Sequence, residues 1–325
     1  MAYTEGRGPR LHWERTGARA GEPILWITGF TISAAVFDPV LPLYADRFDC
    51  VTYDNRGSGR SAAPLRPLSM PELAGDAVRV LDAAGLESAH VYGLSMGGMI
   101  AQELAIRFPE RVRGLVLGCS TPGGPRAIRP TARELAALGG GAVRGLREPG
   151  RPMLARMLFS DEFRAREPER ARELLRHFAA HRARPHGVAG HWWASVYHDT
   201  VARLGRIQAP TLVLHGGADR MAPIANARLL ARRIPDATLR VVEGAGHAYL
   251  LEAPEASHEL FLDWLDARPA PVAAGRAHTG LAARAEPFTR ALGLPVGALR
   301  TGRSLAALSA SRLPAPRRAR GRPSG

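Results

Sequence analysis

The sequence predicts an α/β protein: a mainly parallel central sheet with helices on both faces and one inserted helical lid. Three observations carry this. Short apolar runs alternate with helix-period segments along most of the chain, the pattern of parallel strands joined by crossover helices. One run, Ala89-His90-Val91-Tyr92, leads through Gly93-Leu94-Ser95-Met96-Gly97-Gly98 directly into a helical segment, Met99 to Phe108. Between residues 121 and 205 the alternation stops, and no strand pattern returns until Thr211.

The predicted strands, in order, are Leu11–Arg15, Ile24–Thr28, Cys50–Tyr53, His90–Tyr92, Leu115–Gly118, Thr211–His215 and Leu239–Val242. Between the third and fourth, Ser69-Met70-Pro71-Glu72 has capping-box spacing and opens a helix running to about Ala84. Leu73, Ala77, Val80 and Leu81 fall on its sheet-facing side, and Gly85 stops it. Residues 121–205 are punctuated by Gly and Pro and rich in Arg, with helical patches near 131–138, 152–159 and 167–182. These boundaries divide the chain into a first core part (1–120), a lid (121–205), a second core part (206–268) and a tail (269–325).

At 325 residues and 46% hydrophobic content the chain can bury a large core. No run approaches the roughly 18–20 apolar residues that span a bilayer. The opening MAYTEGRGPRLHWERTG lacks the apolar core of a signal peptide, and two cysteines, Cys50 and Cys119, are too few for a disulfide framework. A cytoplasmic location is the expectation. The net charge of +14 suggests nucleic acid, but its distribution does not. Residues 270–325 hold ten arginines against one acid, Glu286, which leaves about +5 for the rest. All 44 residues in the Lys+Arg count are arginine, a compositional bias rather than a phosphate-binding design, and no RNA-binding, zinc-finger or helix-turn-helix motif accompanies them.

The chemistry-bearing residues gather where predicted strands end. A Gly-x-Ser-x-Gly turn between strand and helix forces its central residue into a strained conformation and lifts the hydroxyl clear of the sheet. That makes Ser95 the candidate nucleophile; the plain alternative is a helix-capping serine. The Met96 backbone N–H, at the helix start, becomes a candidate oxyanion donor. Asp219, in LHGGADRMAP just after the sixth predicted strand, and His247, in EGAGHAYLLEAPE after the last, complete a nucleophile–acid–base order. Glu243 is the rival acid. The second oxyanion donor is expected from the loop ITGFTISAAVF, at the Phe30 N–H beside Gly29. His177 and His181 stand four apart on a predicted helix with no local carboxylate, so no metal site and no cofactor are assigned.

With these blocks in place, the chain resembles the α/β-hydrolase superfamily over about residues 8–268. The matching blocks are ITGF, YDNRGSGRS at 53–61, GLSMGG, HGGADRMAP and GAGH. The resemblance implies that Asp54, Arg56, Gly57, Gly59 and Ser61 form a structural loop near the oxyanion strand. Thr28 stands where such enzymes usually carry histidine. The chain looks most like small esterases, 3-oxoadipate enol-lactonases, aclacinomycin-type methylesterases and cofactor-free perhydrolases. A serine at position 95 sets it apart from dehalogenases and epoxide hydrolases, which use aspartate there.

The resemblance implies a serine hydrolase acting on a carboxylic ester or lactone through an acyl-enzyme. The alternatives are a peroxide-dependent perhydrolase using the same residues and a non-catalytic small-molecule binding protein. Trp192, Trp193 and Tyr249 are expected to border the substrate, with lid packing as the alternative for the tryptophans. The arginines at 144, 147, 151, 156, 164 and 166 read as a solvated face. The tail is expected to be mostly disordered, the alternative being a basic amphipathic helix against an anionic surface.

Overall fold

The computed structural model describes residues 2–128, 152–180 and 185–268. The predicted lid patch near 131–138, His181, Arg144, Arg147, Arg151 and the tail 269–325 lie outside these described residues.

Eight strands form one sheet: β1 (Ala2–Tyr3), β2 (His12–Gly17), β3 (Glu22–Ile27), β4 (Phe48–Tyr53), β5 (Ala89–Leu94), β6 (Val112–Gly118), β7 (Thr211–Gly216) and β8 (Ala237–Val242). Their spatial order is β1-β2-β4-β3-β5-β6-β7-β8. β1–β2 and β2–β4 pair antiparallel at one edge, and every pair from β4–β3 to β7–β8 is parallel. All seven predicted strands are present, and β1 is additional. Cys50 lies within β4, and both cysteines are free and buried.

The central strands are continuous apolar runs because both faces are covered. Side chains alternate accordingly along β3: Leu25 and Ile27 join the core on one face, Ile24 and Trp26 the other. The first face carries α2 (Met70–Ala83) and α3 (Met96–Arg107); the second carries α1 (Leu41–Ala45). On the second face Trp26 stacks on Tyr92 with ring centroids 4.5 Å apart, a contact worth roughly 0.5–1.5 kcal/mol beyond its burial.

The α2 start follows its sequence. Glu72 accepts the Ser69 backbone N–H at 3.1 Å and the Ser69 hydroxyl at 3.0 Å. At its end Gly85 adopts φ +70, and the Leu86 N–H returns to the Leu81 carbonyl at 2.9 Å, a glycine-terminated helix.

Between β6 and β7 the described residues contribute four helices: α4 (Pro152–Leu158), α5 (Asp161–Arg166), α6 (Pro168–Ala180) and α7 (Pro185–Val196). α4 and α6 coincide with two predicted patches; α5 and α7 were not foreseen. Beyond β7 come α8 (Ile224–Arg233), α9 (Tyr249–Glu252) and α10 (Pro254–Asp266). Among the described residues no helix is long and apolar enough to cross a membrane.

Candidate active site

Parallel strands bring the three candidate residues to one edge of the sheet, because each follows the C-terminal end of its strand. Backbone hydrogen bonds continue the ladder past those ends. The Ser95 N–H donates to the Gly118 carbonyl (2.7 Å), Cys119 N–H to Leu214 (2.9 Å) and Ala218 N–H to Ala245 (2.8 Å).

Ser95 joins β5 to α3 at φ 55, ψ −115, a region that L-residues enter only under strain. The flanking glycines are required by contact. A Cβ on Gly97 would lie 2.1 Å from the Ile27 carbonyl oxygen, and one on Gly93 would lie 2.4 Å from that of Gly97. The Ser95 hydroxyl makes no capping hydrogen bond, which removes the capping alternative.

Asp219 and His247 meet directly: Nδ1 of His247 lies 2.8 Å from Oδ2 of Asp219. The carboxylate is fully engaged, since Oδ1 accepts the N–H groups of Met221 (2.7 Å) and Ala222 (2.9 Å). Burial pushes the Asp219 acid upward, but the His247 charge and hydrogen bond, then His215, hold it below the usual carboxylate value. The bond fixes the ring's orientation and its donor: a carboxylate can only accept, so Nδ1 donates, and in the neutral ring the lone pair is on Nε2. Among the described residues no hydrogen bond joins Ser95 to His247. The rival acid, Glu243, is exposed to solvent.

Cys119 and His215 pack beside this acid, their ligand-capable atoms within 4.8 Å of each other and of Asp219. Asp219 has already committed both oxygens, and the His215 Nε2 donates to the Ala222 carbonyl at 2.9 Å. These groups therefore read as the packing of a buried acid. His177 Nε2 lies 2.7 Å from the Ala35 carbonyl.

The His247 loop has a support that sequence reasoning missed. Buried Glu252 accepts the N–H of Gly246 (3.0 Å), the N–H of Ser160 (2.9 Å) and the Ser160 hydroxyl (2.9 Å). Ser160 caps α5, so the inserted helices and the histidine loop share one carboxylate.

The loop after β3 passes close to the nucleophile. A Cβ at Gly29 would touch the Ser95 Cβ at 3.4 Å. Among the described residues, neither the Phe30 N–H nor the Met96 N–H has a backbone partner, which leaves both as available donors beside Ser95. Thr28 explains its own departure from histidine: its hydroxyl donates to the Ile32 carbonyl at 3.1 Å, and Asn55 Nδ2 donates to the Thr28 hydroxyl (3.0 Å) and carbonyl (3.1 Å). Asp54 accepts the Ala34 N–H at 2.8 Å. The 53–61 segment is thus a scaffold for this loop.

Three substrate-contact expectations change. Tyr249 is fully buried in the second-face core, its hydroxyl 2.9 Å from that of Tyr92; it is a core residue. Trp192 and Trp193 are 56% and 42% exposed. The reason is helical phase. Gly187, Gly190, His191 and Ala194 form the buried stripe of α7, which turns 192, 193 and 196 outward. The small residues carry the signal that was overlooked: a Cβ on Gly187 would lie 1.9 Å from the Gly57 carbonyl oxygen. Among the described side chains of α7 the inward aromatic is His191, fully buried, with Nδ1 3.2 Å from the Thr31 N and Nε2 2.7 Å from the Arg56 carbonyl.

A profile of the alpha/beta hydrolase fold matches residues 22–254. The chain is 32% identical over 264 residues to a protein of Azorhizobium caulinodans named "Putative carbamate hydrolase RutD", covering 81% of this chain and 97% of that one. It is 33% identical to the rhodomycin D methylesterase DauP of Streptomyces sp. strain C5, covering 76% and 90%. The crystal structure of the enol-lactonase from Burkholderia xenovorans LB400 superposes with a TM-score of 0.69 at 27% identity, covering 82% and 100%. Strand order, elbow and sequence converge on one placement, and this chain belongs to the alpha/beta hydrolase fold family.

Proposed function

We propose that the protein is a serine hydrolase that cleaves a carboxylic ester or lactone through an acyl-enzyme. The observation that carries this is the pairing of a strained, uncapped Ser95 with an Asp219–His247 hydrogen bond of 2.8 Å at the same sheet edge. Ser95 Oγ attacks the carbonyl carbon while His247 Nε2 takes its proton. Asp219 holds the imidazole by Nδ1 and stabilises the imidazolium. The Phe30 and Met96 N–H groups receive the developing oxyanion, where each donor contributes on the order of 3 kcal/mol. The imidazolium then protonates the leaving oxygen, and His247 activates the water that releases the acid. No metal or cofactor has a part in these steps. The names of similar proteins, a carbamate hydrolase, a methylesterase and an enol-lactonase, all fit acyl transfer to water. The helices between β6 and β7 act as the lid that selects the acyl group.

The test is labelling with a fluorophosphonate probe, followed by p-nitrophenyl ester and lactone panels. Wild type is expected to label at Ser95. Ser95→Ala should lose labelling and at least about 10⁴-fold in turnover, and Asp219→Asn somewhat less. Ser95→Ala turnover above a tenth of wild type would overturn the assignment.

A further inference from the structure

We propose that His191, on the inserted helix α7, is the positioning residue of the oxyanion loop and sets the Phe30 N–H through its bond to Thr31. The inference rests on the serine reading of Ser95 and goes beyond it.

The loop between β3 and the 34–37 turn is pinned at its ends by core residues. Asn55 holds Thr28, the Thr28 hydroxyl holds Ile32, and Asp54 holds Ala34. The middle, residues 29–31, carries the Phe30 donor. Among the described residues its one hydrogen bond is from the Thr31 N–H to His191 Nδ1, at 3.2 Å. Thr31 sits at φ 60, the left-handed region that a β-branched residue avoids unless its surroundings impose it. The Phe30 and Thr31 peptides are consecutive, so the orientation His191 imposes on Thr31 constrains the Phe30 N–H.

The imidazole is suited to this. A backbone N–H can only donate and a carbonyl can only accept, so Nδ1 is unprotonated and Nε2 carries the hydrogen, given to the Arg56 carbonyl at 2.7 Å. Complete burial favours the neutral ring, lowering its pKa from 6.5 to about 4. The Phe30 ring lies 6.1 Å from the imidazole, so the side chain of the donor residue packs near the same group. The Arg56 end is itself fixed: its guanidinium is paired with buried Asp76 at 2.7 and 2.6 Å. His191 therefore spans a rigid scaffold and a strained loop. It makes the geometry of the oxyanion site depend on α7 being seated.

The experiment compares His191→Ala, His191→Asn and His191→Gln with wild type and Ser95→Ala. The readouts are kcat and KM on p-nitrophenyl butyrate, the fluorophosphonate labelling rate, and thermal melting. Asn places an acceptor near the Nδ1 position and lacks the Arg56 bond; Gln places its amide near Nε2 and keeps that bond instead. Loss of an oxyanion donor costs about 10²–10³ in kcat, so a displaced donor in His191→Ala should cost about 10- to 100-fold in kcat, with KM within about 3-fold. Asn should recover most of kcat and Gln should not. Unchanged kcat in His191→Ala, or recovery by Gln but not Asn, would overturn the proposal. If His191→Ala does not fold, the Asn-to-Gln ratio of kcat, or of labelling rate, decides. Labelling that persists in Ser95→Ala would instead sink the serine reading, whatever the His191 variants do.

Discussion

Replacing Ser95 by glycine should stabilise the protein relative to Ser95→Ala, although both lack the hydroxyl and both should be inactive. The two variants differ only in whether residue 95 carries a Cβ. At φ 55, ψ −115 an L-residue bears a conformational penalty of order 1–3 kcal/mol, which glycine largely escapes. Against this, glycine at an ordinary position costs about 0.5–1 kcal/mol relative to alanine through the entropy of the unfolded chain. The balance favours Ser95→Gly over Ser95→Ala by about 1 kcal/mol, or roughly 2–4 °C in Tm for a domain of this size. Urea melts of the two variants in one buffer read the difference directly, and equal m-values would show that the unfolded states match. If Ser95→Gly is less stable than Ser95→Ala by 0.5 kcal/mol or more, as at an unstrained helix start, then the backbone of the elbow holds no strain and the account of why Ser95 stands clear of the sheet fails.

Two further outcomes are expected. Burial lowers the pKa of both His191 and His198 from 6.5 to about 4. Between those values the unfolded chain binds protons that the folded chain does not, so their contribution to stability is intact above pH 6.5, falls as pH drops toward 4, and stops changing below it. Each should cost about 2 kcal/mol at pH 5 relative to pH 8. Among the described residues neither ring nitrogen of His198 has a hydrogen-bond partner, so His198→Leu should lose little at pH 8 and gain about 2 kcal/mol over wild type at pH 5; parallel stability–pH curves would contradict this. Tyr249→Phe should cost about 1–2 kcal/mol by orphaning the buried Tyr92 hydroxyl, with ester chain-length preference unchanged. A shifted preference would return Tyr249 to the substrate pocket.

The fold class, the parallel strands and the places where chemistry could gather are legible in the order of residues. Each depends on local rules: strand period, glycines that allow close approach, and residues placed just after a strand. Gly93 and Gly97 around Ser95 are legible because a tight strand-to-helix turn demands small residues on both sides, although the Gly97 contact itself is with Ile27 on a neighbouring strand. Asp219 and His247 are legible because parallel topology sends every strand's C-terminus to the same edge. Tertiary structure alone decided which way the inserted helices face. Trp192 and Trp193 drew attention by size, yet helical phase puts them outside, and a neighbouring stripe of glycine, histidine and alanine faces inward. Tyr249 follows the His247 loop in sequence but is fully buried in the core. His191 meets Thr31 across 160 positions, and Glu252 joins Ser160 across 92. Such contacts leave no periodic trace, because they depend on how separate elements pack and which buried polar groups must then find partners.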